Sequence, residues 1–179
     1  MREYSIYNRA RVYANSKARR LKGWWLYADK DTRRFPEGIA IETATQCNRV
    51  CYYCANSTVP FPKQVFMQDA VYNKIIARML EMGWTGTISH NNFNEPLMDP
   101  SIVDKIALMR RNFPKNRLVL YSNGDFLTMP LMDALVTAGL SEIWIADHPP
   151  TPKKWHDTVD ACEAKYPRNV VLRGPVEQK

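Results

Sequence analysis

Glu42-Thr43-Ala44-Thr45-Gln46-Cys47-Asn48-Arg49-Val50-Cys51-Tyr52-Tyr53-Cys54 completes and then leaves an apolar run, residues 39–45, that reads as a buried strand. Three cysteines spaced C-x3-C-x2-C on the loop after a strand form a metal address. A closed iron-sulfur site takes four thiolates, and a structural zinc site takes four ligands. Three clustered thiols without an evident fourth therefore suggest a cluster with one open metal position. A redox or zinc site is the alternative reading of the spacing alone. The remaining cysteine, Cys162, falls in Asp157-Thr158-Val159-Asp160-Ala161-Cys162-Glu163 and reads as a buried helix position.

Outward from that loop, the chain from Gly38 onward alternates short apolar runs with helical patterns, the signature of repeated strand-helix units and a parallel sheet. Strands are expected at residues 39–45, 85–90, 117–122, 142–146 and 169–173. A helix over 68–82 should bury Val71, Ile75, Met79 and Met82, with Gly83 as its stop. Asp99 is placed to cap the next helix, which carries Val103, Ile106 and Met109. Thr128 caps a third, with Pro130 in its first turn and Gly139 past its end, and a fourth covers 153–165 after Pro149-Pro150-Thr151-Pro152. Right-handed crossovers curl such units into a barrel. A complete eight-unit barrel takes roughly 250 residues. With 179 residues the expected fold class is α/β, a partial, open barrel of parallel strands, incomplete at its C-terminal side.

The composition is that of an ordinary globular domain, with 45% hydrophobic and 24% charged residues. No apolar run approaches the roughly 20 residues that span a bilayer, and the N-terminus has no signal-peptide core. The expected location is the cytoplasm, where a reducing milieu keeps the thiols free, with no membrane partner. The net charge of +7 favours anionic partners. Residues 1–37 form a basic N-terminal extension in which Arg2, Arg9, Arg11, Arg19 and Arg20 are interleaved with Tyr4, Tyr7 and Tyr13. Such interleaving suits a nucleic-acid strand, but a solvated basic helix with packed tyrosines is the simpler account.

The suspicious segments all follow strands, at the ends where loops of such sheets face one mouth. The cysteine loop follows the first strand and Asn91-Asn92-Phe93-Asn94-Glu95-Pro96-Leu97 the second. Tyr121-Ser122-Asn123-Gly124-Asp125 follows the third, and Asp147-His148 the fourth. The cysteine spacing, Asn48 after the first cysteine, Tyr53 before the third, the Asn-Glu-Pro-Leu loop and the Ser-Asn-Gly loop, in that order, resemble the radical S-adenosylmethionine (radical SAM) enzymes. The Glu42-to-Asn48 run and the Asn-Glu-Pro-Leu loop look most like the branch that carries a C-terminal extension with further clusters, the SPASM-type branch. No cysteine follows Cys162 here.

The resemblance implies a 4Fe-4S cluster held by Cys47, Cys51 and Cys54, with S-adenosyl-L-methionine on the fourth iron. It implies cofactor contacts from Tyr53, Asn94, Glu95, Pro96, Ser122 and Asn123, the Glu95 carboxylate meeting the methionine ammonium. Reductive cleavage would then give a 5'-deoxyadenosyl radical for hydrogen abstraction from a peptide, protein or small-molecule substrate, with an electron donor such as a flavodoxin or ferredoxin. RNA or nucleotide modification and a non-catalytic electron-transfer module are the alternatives. Two departures from the family pattern stand out. Asn92 and Asn94 occupy positions that are often glycine, and Ala146 stands where a serine is common. His148, before two prolines, reads as a surface turn residue, with a proton donor or substrate contact as the alternative, and His90 as a packing position. Arg173, at the end of the last strand, is placed to meet the cofactor carboxylate.

Overall fold

The computed structural model describes residues 36–59 and 63–173, and the compact unit from Glu37 onward holds every element below. The basic, tyrosine-rich segment and the aromatic run at 23–27 lie outside the described residues. Five strands, β1 (Gly38–Ala40), β2 (Thr87–Ser89), β3 (Leu118–Ser122), β4 (Glu142–Ala146) and β5 (Val170–Arg173), form one parallel sheet in sequential order. Between them run α1 (Ala55–Thr58), α2 (Asp69–Glu81), α3 (Ile102–Asn112), α4 (Met129–Thr137) and α5 (Lys153–Lys165), with a 3-10 turn at Pro96–Met98. Each strand joins on the same side of its predecessor. Right-handed crossovers then put the helices on one face, so the sheet is an open part of a barrel, as expected.

Register explains the burial. Leu120 aligns with Ile143 and Val170, and all three are fully buried on one face. Tyr121 aligns with Trp144 and Val171, which with Val119 make the cluster on the other face. Strands buried on both faces read as near-continuous apolar runs, which is why 118–120 and 143–145 were plain in the sequence.

Three expectations need correction. The first strand is three residues long, not seven: Ile41 still donates to the Ser89 carbonyl at 2.9 Å, but residues 43–45 turn to pair antiparallel with 65–67, Met67 N bonding the Thr43 carbonyl at 2.9 Å. The apolar alternation was real, but its hydrogen bonds go to a local return segment. Helix α2 buries Tyr72, Ile76 and Met79, while Val71 and Met82 are exposed. The face is turned because Tyr72, polar only at its tip, packs inward, its hydroxyl 2.6 Å from His90 Nε2 and donating to the Lys105 carbonyl at 3.0 Å.

Asp99 does not cap α3 either. Its Oδ1 accepts from Ser101 N at 2.9 Å, one residue before the helix, and its Oδ2 forms a buried ion pair with Lys105 Nζ at 2.8 Å. Thr128 does cap α4, accepting from Leu131 N at 3.3 Å, and Gly83 and Gly139 take the positive φ expected past their helices.

Candidate functional site: a cysteine loop clasped by three strand ends

The loops after β1, β2 and β3 are tied to one another by polar contacts, and the loop after β4 is tied to that of β1. Glu95 N donates to the Gln46 carbonyl at 3.1 Å, joining the second loop to the residue before Cys47. Cys54 N donates to the Cys51 carbonyl at 2.9 Å, and Cys54 then starts α1. All three thiols are free, with Cys51 buried and the other two half-buried. Burial pushes the Cys47 thiol up, against the opposing pull of a hydrogen bond from Arg49 N. Cys47 Sγ accepts from Arg49 N at 3.5 Å and from Asn123 Nδ2 at 3.7 Å.

The second loop is built around Glu95. Its carboxylate is buried and accepts from Ser122 Oγ at 2.7 Å, Asn123 N at 2.9 Å and Leu97 N at 3.1 Å. Burial raises its pKa, and the three hydrogen bonds pull the other way. Pro96 opens the 3-10 turn directly after it. Asn94 is buried too, its Oδ1 accepting from Asn92 N at 3.2 Å while its Nδ2 finds no protein acceptor. The asparagine in place of glycine is thus accommodated at ordinary negative φ, since among the described residues no residue other than glycine has positive φ.

In the third loop Asn123 faces two ways. Its Nδ2 donates to Asn48 Oδ1 at 2.8 Å and its Oδ1 accepts from Asp125 N at 2.9 Å. Gly124 has a specific reason to be glycine: at φ +76° a Cβ would lie 2.8 Å from Trp155 Nε1, the atom that donates to the Asn123 carbonyl. The Asn-Gly pair, common in any turn, is here shaped by the core.

Three residues that the sequence left without a role, or gave another, join the site. Arg49 makes a two-pronged pair with Asp125, Nε to Oδ2 at 2.6 Å and Nη2 to Oδ1 at 2.5 Å, and Nη1 donates to the His148 carbonyl at 2.7 Å. His148 is not a surface turn residue: it is 8% exposed, with Nδ1 3.1 Å from the Tyr53 hydroxyl and its ring stacked near Tyr53. Burial first, and then the Arg49 charge, lower its pKa, so the ring is neutral near pH 7. Tyr53 itself is half-exposed, its hydroxyl pushed up to about 12 by burial first and then by Cys51. Nothing in the sequence signals the Arg49–Asp125 pairing across 76 positions; only the shared mouth of the strands does.

The donor set fits an iron-sulfur cluster. Free thiols on one loop, with N–H donors aimed at Cys47 Sγ, are the chemistry such clusters use, because hydrogen bonds to sulfur stabilise the thiolate and tune the potential. Among the described residues no group of three or more His, Cys, Asp or Glu, the three cysteines included, is gathered around a metal-sized site.

No family model matches the chain. A curated relative, S-adenosyl-L-methionine-dependent 2-deoxy-scyllo-inosamine dehydrogenase of Niallia circulans, is 28% identical over 133 residues, 74% of this chain and 53% of that protein. The solved structure of BtrN with AdoMet and 2-DOIA superposes with a TM-score of 0.70 at 26% identity, over 79% of this chain and 57% of BtrN. The chain is similar to radical SAM enzymes, in line with the resemblance carried by its motifs. It spans about half the length of these relatives. The structure of anSMEcpe with bound AdoMet shares the fold, with a TM-score of 0.56 at 17% identity over 77% of this chain and 43% of that one.

Proposed function

We propose that Cys47, Cys51 and Cys54 hold a 4Fe-4S cluster and that the protein uses it to cleave S-adenosyl-L-methionine reductively. The observation that carries this reading is the convergence of the cysteine loop, the Glu95 loop and the Ser122-Asn123 loop through direct hydrogen bonds. When bound, cluster and S-adenosylmethionine supply a one-electron break of a carbon-sulfur bond and a 5'-deoxyadenosyl radical that abstracts hydrogen. The chain's own groups do the rest. Arg49 N and Asn123 Nδ2 orient Cys47 Sγ. Glu95, already holding three donors, has roughly one lone-pair direction left for the methionine ammonium. Asn94 Nδ2, a buried donor lacking a protein acceptor, suits an acceptor on the cofactor. Tyr53 and the neutral His148 line the rim of the same mouth.

For the substrate, the likeness to the inosamine dehydrogenase favours a small polyhydroxylated molecule over a peptide. The electron comes from a flavodoxin or ferredoxin, and the setting is the cytoplasm; among the described residues no helix is long and apolar enough to cross a membrane.

The test is 5'-deoxyadenosine formation by the anaerobically reconstituted, reduced protein, beside a variant with all three cysteines changed to alanine. Formation that needs the cysteines and rises with aminocyclitols supports the reading. A loaded cluster that yields none would leave an electron-transfer module in its place, and stimulation by peptides alone would remove the small-molecule substrate.

A further inference from the structure

We propose that Asp125 is a positioning residue for the cluster: through Arg49 and Asn48 it latches the cysteine loop to the ends of β3 and β4, and it offsets the guanidinium charge that would otherwise raise the cluster's electron affinity. This rests on the cluster assignment above.

The geometry carries the latch. Arg49 sits between the first two cysteines, where a long basic side chain would ordinarily reach for solvent, yet its side chain is 16% exposed and its partner's 24%. Asp125 accepts three hydrogen bonds, two from Arg49 and one from Asn48 Nδ2 at 2.7 Å, all from the two residues that follow Cys47. A two-pronged, charge-assisted pair of this kind fixes orientation as well as distance, unlike a single-point surface ion pair. Burial alone would raise the Asp125 pKa, but the bonds from Arg49 and Asn48 outweigh it and hold the carboxyl below its ordinary range.

Asp125 is itself anchored. It follows Gly124, whose backbone is fitted against Trp155, and its N–H is held by Asn123 Oδ1. The latch thus runs from the core of α5, through the loop after β3, to the cysteines. Its third prong, Arg49 Nη1 to the His148 carbonyl, brings in the loop after β4.

The charge argument follows from position. The Arg49 guanidinium interacts electrostatically with Cys51 and Cys47, so it would stabilise the reduced, more negative state of whatever cluster they hold, opposite charges interacting strongly in a partly buried site. A carboxylate bonded to that guanidinium cancels most of the field. Asp125 therefore keeps the cluster strongly reducing while Arg49 holds the loop.

The experiment uses the full chain in two arms. In the first, wild type, D125N and D125E are reconstituted anaerobically and titrated potentiometrically by electron paramagnetic resonance. D125N is expected to load the same iron and to reduce at a higher potential than wild type, with D125E returning toward wild type. In the second, hydrogen exchange is followed in the metal-free chain, where the amides of residues 47–54 are expected to exchange about tenfold faster in D125N, the effect of weakening charge-assisted bonds. An unchanged potential in a loaded D125N overturns the electronic role, and unchanged exchange overturns the latch. Wild type that takes up no cluster would sink the cluster assignment and the electronic role together, while the exchange arm still decides the latch.

Discussion

Ser122 Oγ donates to Glu95 Oε1 at 2.7 Å, which makes a single carboxylate the rivet between the loop after β2 and the end of β3. With Asn123 N and Leu97 N as its other donors, Glu95 organises the site whether or not a ligand is present. Glu95→Ala leaves three buried donors unpaired, and about 2–4 kcal/mol of stability should be lost in urea unfolding. Glu95→Gln keeps the shape and removes the titration. The folded pKa of Glu95 is raised, so the folded state holds the proton longer than the unfolded chain does. As pH rises from the ordinary carboxylate range through the folded pKa, wild type should lose stability relative to Glu95→Gln. Parallel pH profiles for the two proteins would refute this account of the carboxylate.

His90 presents the opposite sign. It is fully buried on the helix side of β2, and its pKa is lowered to about 3 by burial first and then by the Lys105 charge. Its Nε2 meets the Tyr72 hydroxyl, while Nδ1 lacks a protein partner. The unfolded chain takes up this proton near pH 6.5 and the folded chain does not, so the contribution is present above pH 6.5 and drains away as pH falls toward 3. By pH 5 about 2 kcal/mol should be gone. Urea midpoints at pH 7 and pH 5 for wild type and His90→Gln test this: the acid loss should shrink by that amount in the variant, after allowance for its own lower baseline.

The sequence made β3 to β5 legible because doubly buried strands are apolar over most of their length, and the helix ends because Thr128, Pro130, Gly83 and Gly139 each have a local backbone reason to be where they are. That three free thiols share the loop after the first strand was legible for the same kind of reason: their spacing is local. Illegible were the features that depend on distant partners. Residues 43–45 look like a strand and do pair, but with a segment 20 positions on instead of the sheet. Tyr72 and Lys105 were given no role from the sequence, and both are buried because each finds a polar partner inside. Asp125 and His148 acquire their meaning only when three strand ends share a mouth.

Lys105 gives the sharpest case of that last point. Its ammonium is almost fully buried against Asp99 and Ser101, and burial alone would push the Asp99 carboxyl up, but the bonds from Lys105 and Ser101 outweigh it and hold it low. Lys105→Met strands a carboxylate in the interior, so a loss of about 3–5 kcal/mol is expected. Adding Asp99→Asn should recover a good part of it. A double variant that is worse than the sum of the singles would show that the pair is not the reason for the loss.

Gly124 separates a backbone requirement from a packing one. Gly83 and Gly124 both have positive φ, +62° and +76°, but a Cβ at Gly83 meets nothing within 4 Å whereas at Gly124 it lands 2.8 Å from Trp155 Nε1 and 3.0 Å from Ile145 Cγ2. Gly83→Ala should therefore cost only the left-handed backbone strain, about 1 kcal/mol. Gly124→Ala adds overpacking against a buried tryptophan and should cost about 2–4 kcal/mol. The displacement also strikes function, because Trp155 holds the Asn123 carbonyl, and Asn123 reaches Asn48 and Cys47. Thermal unfolding should place Gly124→Ala well below Gly83→Ala, with cluster uptake impaired in the first and normal in the second; equal behaviour of the two would mean that the turn after β3 yields without disturbing the cysteine loop.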